Sequence, residues 1–217
     1  MNIKKYVALI ILCAGLSHSG SAVVLLFEFD ARVQAVNSSF PIVEIDDLIA
    51  GEIRVDLDTL PTDSFGSSSV AAYLYGGLGI PGYMIQFDTG DELVSFDSLD
   101  STGGDGLTPG IFMYDIVSDE QQLSFVLREE GDIDKGVSID LFDLTDPNEL
   151  FGSDDFSADN LDLENLDDSR FVYLNGNSSV FVATIENIQL NVIPEPSTYA
   201  LLFMGLAALA FRAFKKR

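Results

Sequence analysis

Apolar and polar residues alternate with a period of two along most of the chain, and no window sustains the 3.6-residue period of an amphipathic helix. Phe27, Phe29, Ala31, Val33 and Ala35 point one way while Glu28, Asp30, Arg32 and Gln34 point the other, as in a strand with one buried face. Ile53, Val55 and Leu57 alternate with Glu52, Arg54, Asp56 and Asp58 in the same manner. Similar runs predict strands over 83–87, 111–117, 123–127, 137–141, 171–174 and 180–192. Turn-forming clusters separate them, among them Leu60-Pro61-Thr62-Asp63, Pro81-Gly82, Pro109-Gly110 and Asn175-Gly176-Asn177. In the last run the apolar set shifts from Phe181, Ala183 and Ile185 to Ile188, Leu190 and Val192, which predicts a bulge near Glu186-Asn187. About eight to ten short strands at this spacing predict an all-β domain, an antiparallel β-sandwich or jelly roll.

The two ends break the pattern. Lys4 and Lys5 precede an apolar stretch from Tyr6 to Leu16, and Gly20-Ser21-Ala22 supplies small residues before Val23. That order is the order of a secretory signal peptide, cleaved between Ala22 and Val23. At the other end, Pro194-Glu195-Pro196 is followed by an apolar run to Phe211 and a basic tail of Arg212, Lys215, Lys216 and Arg217. A helix from Ser197 to Phe211 would reach only about 22 Å, against about 30 Å of hydrocarbon, so as a single transmembrane helix it spans only with help. Arg212 can snorkel to the head groups, and the basic tail stays cytoplasmic, which leaves the body outside. Pro194 and Pro196 stop the helix from extending outward and keep its approach extended. The chain thus divides into a signal peptide (1–22), an acidic β ectodomain (23–193) and a C-terminal signal (194–217).

Val-Ile-Pro-Glu-Pro-Ser-Thr-Tyr-Ala-Leu-Leu, a short apolar helix and Phe-Arg-Ala-Phe-Lys-Lys-Arg, in that order and at the very end, resemble the tripartite PEP-CTERM sorting signal. The resemblance implies recognition by exosortase, a membrane enzyme, with cleavage near Pro194-Glu195-Pro196 after transient insertion in the inner membrane. It also implies a bacterium that makes exopolysaccharide and a destination at the cell surface or in the extracellular matrix of a biofilm. Signal peptidase and exosortase are then the partners during export, and matrix components those that follow. The alternative for this end is an ordinary tail anchor. More loosely, the stretches 137–143, 161–163 and 171–174 resemble ectodomains found ahead of such tails, which implies a β-sandwich and no established activity.

Charge and absences narrow the function further. The whole chain carries −24, but six of its basic residues lie in the two end segments. Arg32, Arg54, Arg128, Lys135 and Arg170 face 34 carboxylates in the body, a net charge of −29. Such a body repels nucleic acid and anionic membrane surfaces. The single Cys (Cys13) and single His (His18) both lie in the signal peptide. The mature body therefore has no disulfide, no thiol nucleophile, no His-dependent triad and no His or Cys zinc site. Lys135 is its only lysine, so amine chemistry would hang on one residue. Carboxylate-only glycoside hydrolysis survives, without a pair that the sequence can nominate.

Residues 146–168 form the one long loop-like stretch, rich in Asp, with Phe156 and Leu161 to pack it. Calcium is the ligand such a stretch would take, yet neither Asp132-Ile133-Asp134 nor residues 101–106 complete a twelve-residue calcium loop. The reading is a non-enzymatic exported protein without a cofactor, structural or adhesive. The alternative is a calcium-assisted carbohydrate-binding module, for which Tyr73, Tyr75, Tyr83, Phe112 and Tyr114 are the available stacking residues.

Overall fold

The computed structural model describes residues 23–37, 43–64, 70–75, 82–98, 109–116, 120–129, 132–144, 150–151, 155–164, 166–175 and 179–194. Ten strands account for most of them: β1 (Val23–Val36), β2 (Leu48–Asp56), β3 (Val70–Leu74), β4 (Tyr83–Asp88), β5 (Leu93–Asp97), β6 (Gly110–Ile116), β7 (Glu120–Glu129), β8 (Asp132–Asp143), β9 (Asp168–Leu174) and β10 (Ser179–Pro194). Two 3₁₀ turns, Leu57–Thr59 and Ala158–Asn160, are the helical elements among the described residues. Val24–Ile193 make one compact unit.

The all-β, antiparallel expectation holds, but the strands join one continuous sheet in the order β3-β6-β7-β8-β9-β10-β1-β2-β4-β5. The join lies at β10 and β1, which sit side by side in the middle. Their side-by-side contacts run Asn37 to Val180, Arg32 to Glu186 and Glu28 to Asn191, so the two strands are antiparallel. A sheet this long cannot bury an apolar face while flat, and it curls until its halves face each other like the layers of a sandwich.

Aromatic rings mark where the halves meet. Phe27 of β1 packs edge-on against Phe125 of β7 at 5.1 Å, and Phe87 of β4 against Phe171 of β9 at 5.0 Å. Phe96 of edge strand β5 reaches Tyr173 of β9 at 6.2 Å. The alternation is the one read from the sequence: Leu25, Phe27, Phe29, Ala31 and Val33 are buried, as are Leu123, Phe125 and Leu127 on β7. Leu150, Phe151 and Phe156 bring part of the Asp-rich stretch into the same core. Gln121 fixes it by a two-way exchange with the Phe151 backbone, 3.1 Å in each direction.

Two strands, β3 and β5, are absent from the sequence expectation, and both are edges of the sheet. Beyond β3 lies the segment of Asp63 and Ser64, bonded to the Ala72 backbone at 2.8 and 2.9 Å, so Ala71, Ala72 and Tyr73 are all buried and alternation disappears. β5 buries only Phe96 fully, and Leu93 is 64 % exposed. The phase change expected in the last strand is present: Glu186 and Asn187 are both exposed, and Ile188 and Leu190 become the half-buried positions. The register shift of β10 against β9 lies earlier, between Ser179 and Phe181.

The turn before β4 needs its glycine. Gly82 has φ +113°, its carbonyl accepts from Asp56 N at 2.6 Å, and a Cβ there would run into the Thr59 hydroxyl.

Candidate functional site

The sorting signal begins where the sheet ends. β10 runs to Pro194, whose ring nitrogen cannot donate to a ladder, so the strand stops at the first residue of Pro194-Glu195-Pro196. Antiparallel pairing puts Val24 and Ile193 at the same end of the sheet, so both chain exits leave from that end. β1 starts at Val23, the expected first residue of the mature chain. Ala22, Glu195, Pro196, Arg212, Lys215, Lys216 and Arg217 lie outside the described residues, as does the expected membrane segment 197–211. Among the described residues no helix is long and apolar enough to cross a membrane.

Arg32 and Glu186 tie the strand pair together across its exposed face. Nε and Nη2 of Arg32 meet the two Glu186 oxygens at 2.5 and 2.9 Å, and Nη1 donates to the Asp46 carbonyl at 3.0 Å. The guanidinium hydrogen bond holds the Glu186 carboxyl below its ordinary pKa, and Glu186 raises that of Arg32. A carboxyl whose folded pKa is depressed contributes stability that is complete above about pH 5 and lost as pH falls through the folded value. Glu186→Gln should therefore lower the melting temperature slightly at pH 7, by an amount that shrinks as pH falls below the ordinary carboxylate range. A penalty that does not change between pH 7 and the acid end of the carboxyl titration would show that the pair is not the cause.

Beside this strand pair lies an open cleft of about 920 Å³, between the stretch from Ala158 to Ser169 and the second half of β10. Asp159, Asp162, Glu164, Asp167 and Asp168 line it and are exposed. Three of them accept from backbone: Asp162 from Glu164 N at 3.0 Å, Asp168 from Ser169 N at 2.8 Å and Asp167 from the distant Leu144 N at 2.9 Å. Among the described residues no three His, Cys, Asp or Glu side chains converge on a metal-sized space.

A second cleft, about 610 Å³, follows the seam where β5 meets the ends of β7 and β8, and it gathers Arg128, Lys135, Glu129, Glu92 and Tyr173. Lys135 is ion-paired with Glu129. That is the opposite of the desolvated, unpaired setting in which an amine becomes nucleophilic. Burial raises the Tyr173 phenol, and Lys135 partly offsets it.

The five candidate stacking residues separate cleanly. Tyr73, Tyr75 and Tyr83 belong to the core, and burial raises the phenols of Tyr75 and Tyr83 well above the ordinary value. The Tyr73 hydroxyl accepts from Phe156 N at 3.1 Å. Phe112 and Tyr114 stand half-buried on the outer face of β6, their rings parallel to within 3° and 6.1 Å apart. Burial, then the charge of Asp140, raises the Tyr114 phenol. Gln122, Ser124, Ser138 and Asp140 are not legible as binding residues in the sequence, because only strand pairing brings them beside this pair.

These features define an acidic all-β domain whose last central strand feeds directly into a C-terminal processing signal. Residues 192–217 match the PEP-CTERM protein-sorting motif, so the chain carries that signal. The motif implies export, processing by exosortase and a cell-surface destination. No curated protein and no solved structure matches the chain.

Proposed function

We propose that exosortase delivers this acidic β domain to the cell surface or extracellular matrix, where it serves a non-enzymatic, structural or adhesive role linked to exopolysaccharide. The observation that carries the reading is the match over 192–217, which starts inside β10 and leaves no linker between the folded domain and its processing signal. Signal peptidase removes 1–22, after which the first residue of the chain is the first residue of β1. The C-terminal segment holds the protein in the inner membrane until cleavage near Pro194-Glu195-Pro196. A body without Cys or His, whose one lysine is ion-paired, has little to offer as a catalyst and needs no cofactor for this role. Its −29 charge serves solubility outside the cell.

Mass spectrometry of the protein recovered from the surface or matrix tests this directly. The expected form begins at Val23 and lacks Arg212 to Arg217. Recovery of the intact basic tail on released protein, or of protein confined to the inner membrane, would sink the reading.

A further inference from the structure

The outward positions of the sheet divide unevenly. On β1, β2, β4 and β5 they carry Glu28, Asp30, Glu52, Asp56, Asp88 and Asp97. Across the central spans of β6, β7 and β8, the one outward carboxylate among the described residues, Asp140, stands among Phe112, Tyr114, Phe142, Gln122 and Ser124. In a body of −29, an acid-poor field with three aromatic rings is not what solubility alone selects.

The register makes the field a surface of two rows. Tyr114, Gln122, Phe142 and, at its β9 end, Asp168 lie across the strands in one, and Phe112, Ser124, Asp140 and Arg170 in the other. The polar groups between the rings are braced against each other. Asp140 Oδ1 accepts from Ser124 Oγ at 2.6 Å and from Gln122 Nε2 at 3.3 Å, and its Oδ2 accepts from Ser138 Oγ at 3.1 Å. Gln122 Nε2 also donates to Ser124 Oγ at 2.7 Å, so the amide is held by its nitrogen side and its carbonyl oxygen remains an acceptor. Aromatic surface beside fixed amide and carboxylate acceptors suits a ligand with apolar C–H faces and a rim of hydroxyls.

We propose that this field on β6, β7 and β8 is a docking platform for a neutral polysaccharide, with Phe112 and Tyr114 taking sugar C–H surface and Gln122 and Asp140 taking hydroxyls. Charge selects the occupant: a polyanionic glycan is repelled by the body, and a polycation is drawn to the carboxylates of the other half. The inference rests on the adhesive role proposed above and names its partner.

Calorimetry with the full-length protein in detergent tests it, using cellohexaose, mannohexaose and laminarihexaose, with oligogalacturonate as the anionic control. At least one neutral hexasaccharide should bind, and the Phe112→Ala/Tyr114→Ala double variant should bind it about tenfold or more weakly. Glu52→Gln on the acidic half should bind as wild type. If the double variant melts early, Gln122→Leu serves instead and should also weaken binding. The proposal is overturned if no neutral hexasaccharide binds at millimolar concentration, or if the variants bind as well as wild type. It is also overturned if their only change is lost self-association, which would make a second copy the occupant. Co-sedimentation with isolated matrix separates the two readings: wild type and double variant pelleting alike removes the platform and leaves adhesion standing, whereas wild type staying in solution removes adhesion itself.

Discussion

Phe87→Ala should be the most destabilising single truncation in this domain, costing about 3–5 kcal/mol of the roughly 5–15 that a domain of this size holds. Phe87 is 1 % exposed and packs against rings of the facing half, Phe171 at 5.0 Å, Tyr173 at 5.4 Å and Phe181 at 6.1 Å. It comes from β4, and its partners from β9 and β10, strands separated in the sheet by β1 and β2. Hydrogen bonding along a continuous sheet does not by itself close the curl; contacts of this kind do. Removing the ring leaves a cavity at the closure, where backbone from distant strands cannot collapse to fill it. Denaturant unfolding followed by far-UV circular dichroism would read the change as a lowered midpoint at constant slope. Leu93→Ala, at a 64 % exposed position of neighbouring β5, is the control and should stay within about 0.5 kcal/mol. A loss below about 1 kcal/mol for Phe87→Ala would mean that the halves are held by something other than this ring cluster.

What the sequence reveals and hides follows the range of each interaction. Eight strands are legible because each has one wet and one dry face, and a period of two records that locally. The two edges are hidden for opposite reasons: β3 is covered on both sides, and β5 is mostly uncovered. That β10 lies beside β1 is hidden altogether, since pairing between the first and last strands leaves no local mark. The sorting signal, by contrast, is wholly legible, because an enzyme that reads a tail needs its residues contiguous. The aromatic pair on β6 stands between these cases. Phe112 and Tyr114 could be picked out as candidates beside Tyr73, Tyr75 and Tyr83. Only burial separates the two facing outward from the three in the core.

Replacing Pro194-Glu195-Pro196 with three alanines should abolish release and leave the full-length protein in the inner membrane, with the folded domain intact. Pro194 closes β10 by withholding a donor, and three alanines restore every donor that the prolines removed. Alanine is also the strongest helix former, so the substitution favours helix where Pro194 and Pro196 bias the chain toward an extended backbone. The processing enzyme then loses both the residues it recognises and the extended backbone around them. The domain itself should lose less than about 0.5 kcal/mol, because Val192 and Ile193 beside the substitution are already exposed. That separation matters, since β10 is a central strand and an unfolded domain would fail to reach the surface for an unrelated reason. Cell fractionation with blotting reads the first effect and thermal melting of the solubilised variant the second. Trapped, full-length protein with a wild-type melt supports processing at this site, whereas normal release would refute it.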